Sequence, residues 1–329
     1  MMKNDRDRLQ AFIRERTGDC RVCVVGDVML DKYFYGEVTR ISPEAPVPVT
    51  RVVKTKETLG GAANVAHNLA LLGCHTMVAG YIGDDYHGES LLAHFKKRGI
   101  GVGGLVKTAA PTTTKLRVIG GHQQMLRLDF EETAPMAVHD EEKLIQTAEA
   151  SIASGVEAVI LSDYGKGACT AAVCAAVIAA AHAQGVPVVV DPKGGDWGRY
   201  RGADYITPNL RELNDVQRTP SAKEDEAVES AARYALRRFH IKAMVATRSE
   251  RGLSLIKPRS AVHIPTKAQE VFDVSGAGDT VIAVFSLALA GGVSPADSAY
   301  LANLAAGVVV GKLGTYAVSR EELLAALKR

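Results

Sequence analysis

Runs of aliphatic residues too continuous for a half-exposed sheet constrain this chain more than any other feature. Arg21-Val-Cys-Val-Val-Gly26, Ala158-Val-Ile-Leu-Ser162, residues 186–191 and residues 242–247 are apolar along most of their length. A strand with apolar side chains on both faces has to be covered on both. Stretches with helical spacing separate these runs, at residues 61–72, 88–98, 141–154, 170–184, 210–216 and 222–239. Further strands are predicted at residues 75–81 and 203–207, and two long helices at residues 278–290 and 295–312. Alternation of this kind predicts a mostly parallel central sheet between two helical layers, a three-layer α/β/α sandwich. The 329 residues, 47% of them hydrophobic, are read as one domain over residues 1–329.

Two regions break the alternation. Residues 32–58 are rich in Tyr, Val and Thr and carry Pro43, Pro46 and Pro48. Residues 112–129 read as a hairpin turning at Gly120-Gly121. Both follow elements of the amino-terminal half, so they are expected to form a small β-strand lid over the strand ends. Residues 1–16 fit a charged amphipathic helix rather than a signal peptide. Ser319-Arg-Glu-Glu322 has capping-box spacing before a stripe of Leu323, Leu324 and Leu327, which predicts a last, structural helix.

Composition excludes several classes. Lys and Arg number 39 against 37 Asp and Glu, a net charge of +2 that offers nothing to nucleic acid or an anionic membrane surface. No apolar run is long enough to span a bilayer. The five cysteines, Cys20, Cys23, Cys74, Cys169 and Cys174, are odd in number and loosely spaced. Cys20 and Cys23 would point to opposite faces of a strand, so all five are read as reduced thiols of a cytoplasmic protein. The histidines show no metal-ligand spacing. Gly307 to Leu313 only imitates a phosphate loop, with one residue too few between its glycines and Leu where Ser or Thr must reach Mg²⁺. No G-x-G-x-x-G follows the first strand.

Gly276-Ala277-Gly278-Asp279 runs into an apolar helix. A helix start presents free N–H groups and a partial positive charge, which together hold an anion and favour an ionised Asp279. A carboxylate base beside an anion site suits phosphoryl transfer; a plain helix cap uses the same residue types. Asp27 ends the first strand, where open α/β sheets bind ligands, and is either a sugar-hydroxyl acceptor or a turn residue. Asp31 is a second candidate of the same kind. Gly60-Gly61 before Asn64 allows close approach of a ligand, or of a helix to the sheet. Lys115 and Arg117 share one strand face, Arg127 lies on the returning strand and Lys166 sits between glycines. They form a phosphate clamp or solvated surface. Asn209 and Glu212 have capping-box spacing and also suit a magnesium–phosphate network.

Together these segments resemble the ribokinase-like (PfkB) carbohydrate kinases over about residues 22–327. Two signatures occur in order, Gly60-Gly61…Asn64 and Asp273-Val-Ser-Gly276-Ala-Gly-Asp279. The family commonly has Thr where this chain has Val274, while the glycines and Asp279 are intact. Gly26-Asp-Val-Met-Leu-Asp31 and the segment from Gly36 to Val49 are similar to the heptose 7-phosphate kinases of lipopolysaccharide biosynthesis. So are Ser162-Asp-Tyr-Gly-Lys-Gly167, Asp191-Pro-Lys-Gly194 and Thr207-Pro-Asn-Leu-Arg-Glu212. Many such relatives carry a carboxy-terminal nucleotidyltransferase domain; this chain is expected to be the stand-alone kinase.

The resemblance implies ATP-dependent phosphorylation, with Mg²⁺, of the anomeric hydroxyl of D-glycero-β-D-manno-heptose 7-phosphate. It makes Asp279 the general base and the N–H groups of Gly276, Ala277 and Gly278 the anion hole. Asp27, Gly60, Gly61 and Asn64 map to the sugar, and Asn209 and Glu212 to the ATP–Mg²⁺ side, Glu212 through water. Lys193, Thr247, Arg248, Ser249 and Gly252 line the nucleotide site, with Asn303 near the adenine. Lys115, Arg117, Arg127 and Lys166 are assigned to the 7-phosphate from their charge and alternation alone. A homodimer through the lid strands and a Gram-negative source are also expected. The alternatives are a PfkB-type kinase for another sugar and a non-catalytic sensor on the same fold.

Overall fold

A computed structural model describes residues 3–121, 123–132, 136–217, 224–266, 271–312 and 314–328. In chain order its strands are β1 (Arg21–Gly26), β2 (Val28–Ile41), β3 (Pro48–Gly61), β4 (His75–Gly83), β5 (Gly101–Thr108), β6 (Thr114–Gly120) and β7 (Gln123–Phe130). They continue with β8 (Ala158–Ser162), β9 (Val188–Asp191), β10 (Tyr205–Ile206), β11 (Ala243–Thr247), β12 (Leu253–Lys257) and β13 (Ser260–Ile264). The helices are α1 (Lys3–Ala11), α2 (Ala62–Leu71), α3 (Tyr86–Lys97), α4 (Val138–Ala153) and α5 (Ala171–Ala183). After them come α6 (Leu210–Gln217), α7 (Asp225–Phe239), α8 (Ala277–Ala290), α9 (Pro295–Val309) and α10 (Arg320–Lys328).

The main sheet has nine strands in the order β13-β12-β11-β10-β9-β8-β1-β4-β5. It is parallel from β5 to β11, and β12 and β13 close one edge antiparallel. The reason the sequence runs are continuously apolar is visible in β1. Val22 and Val24 enter the core beneath α2, α8 and α9, whereas Cys23 and Val25 enter the core beneath α4, α5 and α7. The five cysteines are buried and unpaired. No described helix is long and apolar enough to cross a membrane.

A second sheet of four strands, order β3-β2-β6-β7, forms the lid. Its limits differ from the sequence expectation. β2 begins at Val28, immediately after β1, and β3 runs on to Gly61. Gly60 and Gly61 therefore close a lid strand rather than lie in a loop. Pairing explains the extension: Val28 and Met29 face Gly61 and Gly60 across the ladder. β5, β12 and β13 were not anticipated. β5 carries three glycines and β13 has alternating exposure, so neither reads as a buried apolar run. The helix expected at residues 295–312 ends at Val309, and residues 222–223 of another expected helix lie outside the described residues.

Chain direction across the sheet reverses at β1. From it the chain proceeds through β4 and β5 to one side and β8 to β11 to the other. Such a switch point leaves a crevice beyond the strand ends. Here the backbones approach closely: a Cβ on Gly26 would lie 2.1 Å from the carbonyl oxygen of Ser162.

Candidate active site

The first turn of α8 projects Asp279 into this crevice, only 5% exposed. Gly276 caps the helix at φ 78°, a left-handed conformation that costs a side-chain-bearing residue. Asn64 in the first turn of α2 donates from Nδ2 to Asp279 Oδ2 at 2.6 Å. The Tyr164 hydroxyl donates to Asp279 Oδ1. One turn further along α2, Asn68 Oδ1 accepts from the hydroxyl of Thr280, the residue after Asp279, at 3.0 Å, so α2 and α8 are registered by two polar contacts. Burial pushes the Asp279 carboxyl up to about 6, against the lowering effect of the Asn64 and Tyr164 bonds. The Ala277 N–H is directed to the Val274 carbonyl at 3.2 Å. Asp273 ties the loop before α8 to the carboxy-terminal segment, accepting from Ser275 N–H at 2.9 Å and Gly314 N–H at 3.0 Å.

Asp31, rather than Asp27, shares the crevice with Asp279. Its charge raises the Asp279 pKa, and its Oδ2 would lie 2.4 Å from a Cβ on Gly60. Gly60 is glycine because the carboxylate occupies that space. Asp27 is engaged elsewhere. Its Oδ2 accepts the N–H groups of Tyr164 at 2.7 Å and Lys166 at 3.0 Å, and its Oδ1 accepts that of Ala168 at 2.9 Å. Asp27 thus organises the loop after β8, in place of the sugar contact expected from its position at a strand end.

The lid cations gather over the same crevice. Lys115 lies above the Tyr164 ring, 5.9 Å from its centroid, and burial lowers its pKa with help from Arg127 and Lys166. Three neighbours are held by carboxylates: Arg117 by Asp31 at 2.6 Å, Arg127 by Asp129 at 2.5 Å, and Lys166 by Glu131 at 2.7 Å.

Asp191, at the end of β9, lies within reach of the Asp279 charge. Burial drives its pKa well above the ordinary value, and the charges of Asp279 and Glu212 add to the effect while Lys193 opposes it. Glu212 is raised in the same way by burial. Asn209 and Glu212 form a reciprocal helix cap, Glu212 N–H to Asn209 Oδ1 at 3.0 Å and Asn209 N–H to Glu212 Oε2 at 2.9 Å. Among the described residues no cluster of three His, Cys, Asp or Glu could itself hold a metal ion. Thr247 joins this side through a bridge to Asn209. Ser249, at φ 51°, and Gly252, at φ 81°, shape the turn into β12.

Two expected nucleotide residues have structural engagements. The Arg248 guanidinium is 2% exposed, and it meets Asp225 at 2.6 Å and Ser254 at 3.1 Å. Asn303 donates to the Pro265 carbonyl at 2.9 Å. Conversely, Tyr164 and Asp191 belong to the crevice and were passed over in the sequence. Both stand at the carboxyl end of a predicted strand, the one signal that could have selected them.

The model of the pfkB family carbohydrate kinases matches residues 20–322. The bifunctional protein HldE of Citrifermentans bemidjiense is 44% identical over 323 residues, covering 98% of this chain and 66% of its own length. HldE of Shewanella amazonensis is 48% identical, covering 94% of this chain and 63% of its own. The chain therefore spans less than two-thirds of these curated relatives. Among solved structures, the tetrameric inhibited form of phosphofructokinase-2 from Escherichia coli superimposes with a TM-score of 0.76 at 18% identity, covering 94% of this chain and 99% of that one. Ribokinase from Arabidopsis thaliana, complexed with ribose and ATP, gives 0.72 at 22% identity, covering 94% and 99%. Those likenesses establish a ribokinase-like fold, and the family match over most of the sequence establishes more: the chain belongs to the pfkB family of carbohydrate kinases.

Proposed function

We propose that this kinase transfers the γ-phosphoryl group of ATP to the anomeric hydroxyl of D-glycero-β-D-manno-heptose 7-phosphate. The product is the 1,7-bisphosphate, a precursor of ADP-heptose for lipopolysaccharide, made in the bacterial cytoplasm. The observation that carries the chemistry is a buried carboxylate, Asp279, pushed up to about 6 at the amino end of α8. A base with that proton affinity is matched to accepting a hydroxyl proton near neutrality. Asp279 takes the proton of the anomeric hydroxyl, its oxygen bonds to the γ-phosphorus, and the bond to the β-phosphate oxygen breaks to release ADP. The helix start, with the N–H groups of Gly276 and Gly278, stabilises charge on the group in transfer, while the Ala277 N–H, expected in the same hole, is held by the Val274 carbonyl.

Asp31, Gly60, Gly61 and Asn64 take the sugar. Lys115, Arg117, Arg127 and Lys166 take its 7-phosphate, the last three exchanging carboxylate partners for phosphate oxygens. Support for this acceptor comes from the relatives named HldE. Mg²⁺ enters with ATP. The raised carboxyls of Asp191 and Glu212 fit a cation nearby, since positive charge offsets the burial, and the neighbouring like charges, that raise them. Glu212 would reach it through water, as Mg²⁺ retains much of its hydration. Lys193, Thr247, Ser249 and Gly252 face the nucleotide, Arg248 through its backbone only, and Asn303 fixes the wall beside the adenine. Exposed apolar residues on the lid, Val52, Val53, Leu126, Leu128 and Phe130, support a homodimer through its strands.

The test is ADP release with Mg-ATP across heptose 7-phosphate, fructose 6-phosphate, ribose and no sugar. Turnover on the heptose phosphate alone is expected, and Lys115→Met should raise its KM while leaving that of ATP in place. Preference for ribose or fructose 6-phosphate would overturn the substrate assignment.

A further inference from the structure

The loop after β8 is held from two sides. Asp27 gathers the N–H groups of Tyr164, Lys166 and Ala168. Asp163, itself 3% exposed, accepts from Gly165 N–H at 2.7 Å and from the Tyr200 hydroxyl at 2.6 Å, with Arg199 at 3.2 Å. Gly165 and Gly167 take positive φ, 69° and 100°, so the loop is curled around the Asp27 carboxylate. Its one aromatic side chain reaches the centre of the crevice and ends on Asp279. A turn needs far fewer bonds than this to reverse a chain.

Resting on the kinase reading above, we propose that Asp27 is a positioning residue that acts through Tyr164. By fixing the loop it holds the Tyr164 hydroxyl on Asp279 Oδ1, which aims the base and keeps it ionised. Asn64 restrains the second oxygen, Oδ2, at 2.6 Å. With both oxygens restrained, the carboxylate plane is fixed before any sugar arrives, and less ordering remains for the reaction itself. The charged groups facing Asp279 are Asp31 on β2, Lys115 on β6 and Asp191 on β9. The Tyr164 hydroxyl is neutral, because burial and the Asp279 charge raise its pKa well above the ordinary value. It can therefore only donate to an ionised Asp279.

Two readouts test the proposal. The first follows the Asp279 carboxyl through its pH titration by carbon NMR in free protein labelled at aspartate, which requires no substrate. The second is the pH profile of sugar-dependent ADP release. Tyr164→Phe should move the titration midpoint of Asp279 up by about one pH unit, the size expected for losing a hydrogen bond to a charged group. The acid limb of kcat should move with it, and KM for ATP should stay. Asp27→Asn should reproduce that shift, and the double variant should add nothing further, since both act through one contact. Gly165→Ala strains the loop without touching Asp27 or Asp279, and should shift Asp279 in the same direction if Asp27→Asn does not fold.

An unmoved Asp279 titration in Tyr164→Phe would overturn the proposal. So would Asp27→Asn raising only the sugar KM, which would make Asp27 a direct sugar contact. Failure of the kinase reading would look different: wild-type protein would give no sugar-dependent ADP, while the titration shifts would still appear.

Discussion

Asp279→Asn should make the free protein more stable while abolishing most of its turnover. Burial raises the Asp279 carboxyl from an ordinary value of 3.8 to about 6. A carboxyl raised on folding binds its proton more tightly in the native state. Its stabilising contribution is full below the unfolded-state pKa and is lost as pH rises through the folded-state value. Above pH 6 the shift of roughly two units corresponds to about 3 kcal/mol of instability borne by the charged form. The substitution removes that charge and keeps the shape. The introduced carboxamide can accept from Asn64 through its oxygen and donate its N–H to the Tyr164 hydroxyl. With an unfolding entropy near 0.7 kcal/mol/K for 329 residues, the gain at pH 8 is a rise in Tm of about 4 °C. It should shrink to about 1 °C by pH 4, where both proteins are neutral at this site in the native state. Thermal melting of both proteins from pH 4 to pH 8 measures it, with ADP release expected to fall by at least about 10²-fold. A Tm advantage independent of pH, or a variant less stable at pH 8, would refute the linkage. Near-normal turnover would remove Asp279 from its role as base.

Other outcomes follow from the contacts at the rim. In Gly60→Ala the new methyl would sit 2.4 Å from Asp31 Oδ2 and 2.9 Å from Met29 Cγ. Displacement of Asp31 should raise the sugar KM at least about fivefold, the effect of roughly 1–3 kcal/mol of overpacking, with ATP affinity kept. Arg248→Met should lose about 1–3 kcal/mol in urea unfolding, because Ser254 and His263 lose a buried partner. The KM for ATP should stay within about twofold, and a large rise would return the Arg248 side chain to the nucleotide site.

Much of the sandwich was legible because doubly covered strands must be apolar on both faces. Val22 to Val25 show this directly, splitting alternately between two cores. The edge strands were not legible for the converse reason. In β13 exposure alternates, and in β5 glycines stand where aliphatic side chains would be needed. Within the crevice, Gly276 to Asp279 carry a local signal, since a helix start is chemically distinctive in one short segment. Asp27 and Asp31 carry none that separates them. Both follow β1, and only the fold shows that the first turns toward the loop after β8 and the second toward Gly60. Arg248 misled because charge near a strand end suits a phosphate; its ion-pair partner, Asp225, opens α7, more than twenty residues earlier in the chain. Tyr164 was invisible as a partner of Asp279, since 115 residues separate them.

The lid joins two distant pieces of chain. β2 and β6 pair in parallel, with Asp31 opposite Lys115, and α2, β4, α3 and β5 all intervene. Closing so large a loop costs entropy before any lid contact repays it. The lid therefore assembles late in folding, on a main sheet whose β1, β4 and β5 already fix the roots of both segments. Substitutions at the Asp31–Arg117 pair should then have φ-values near zero, accelerating unfolding and leaving the refolding rate almost untouched.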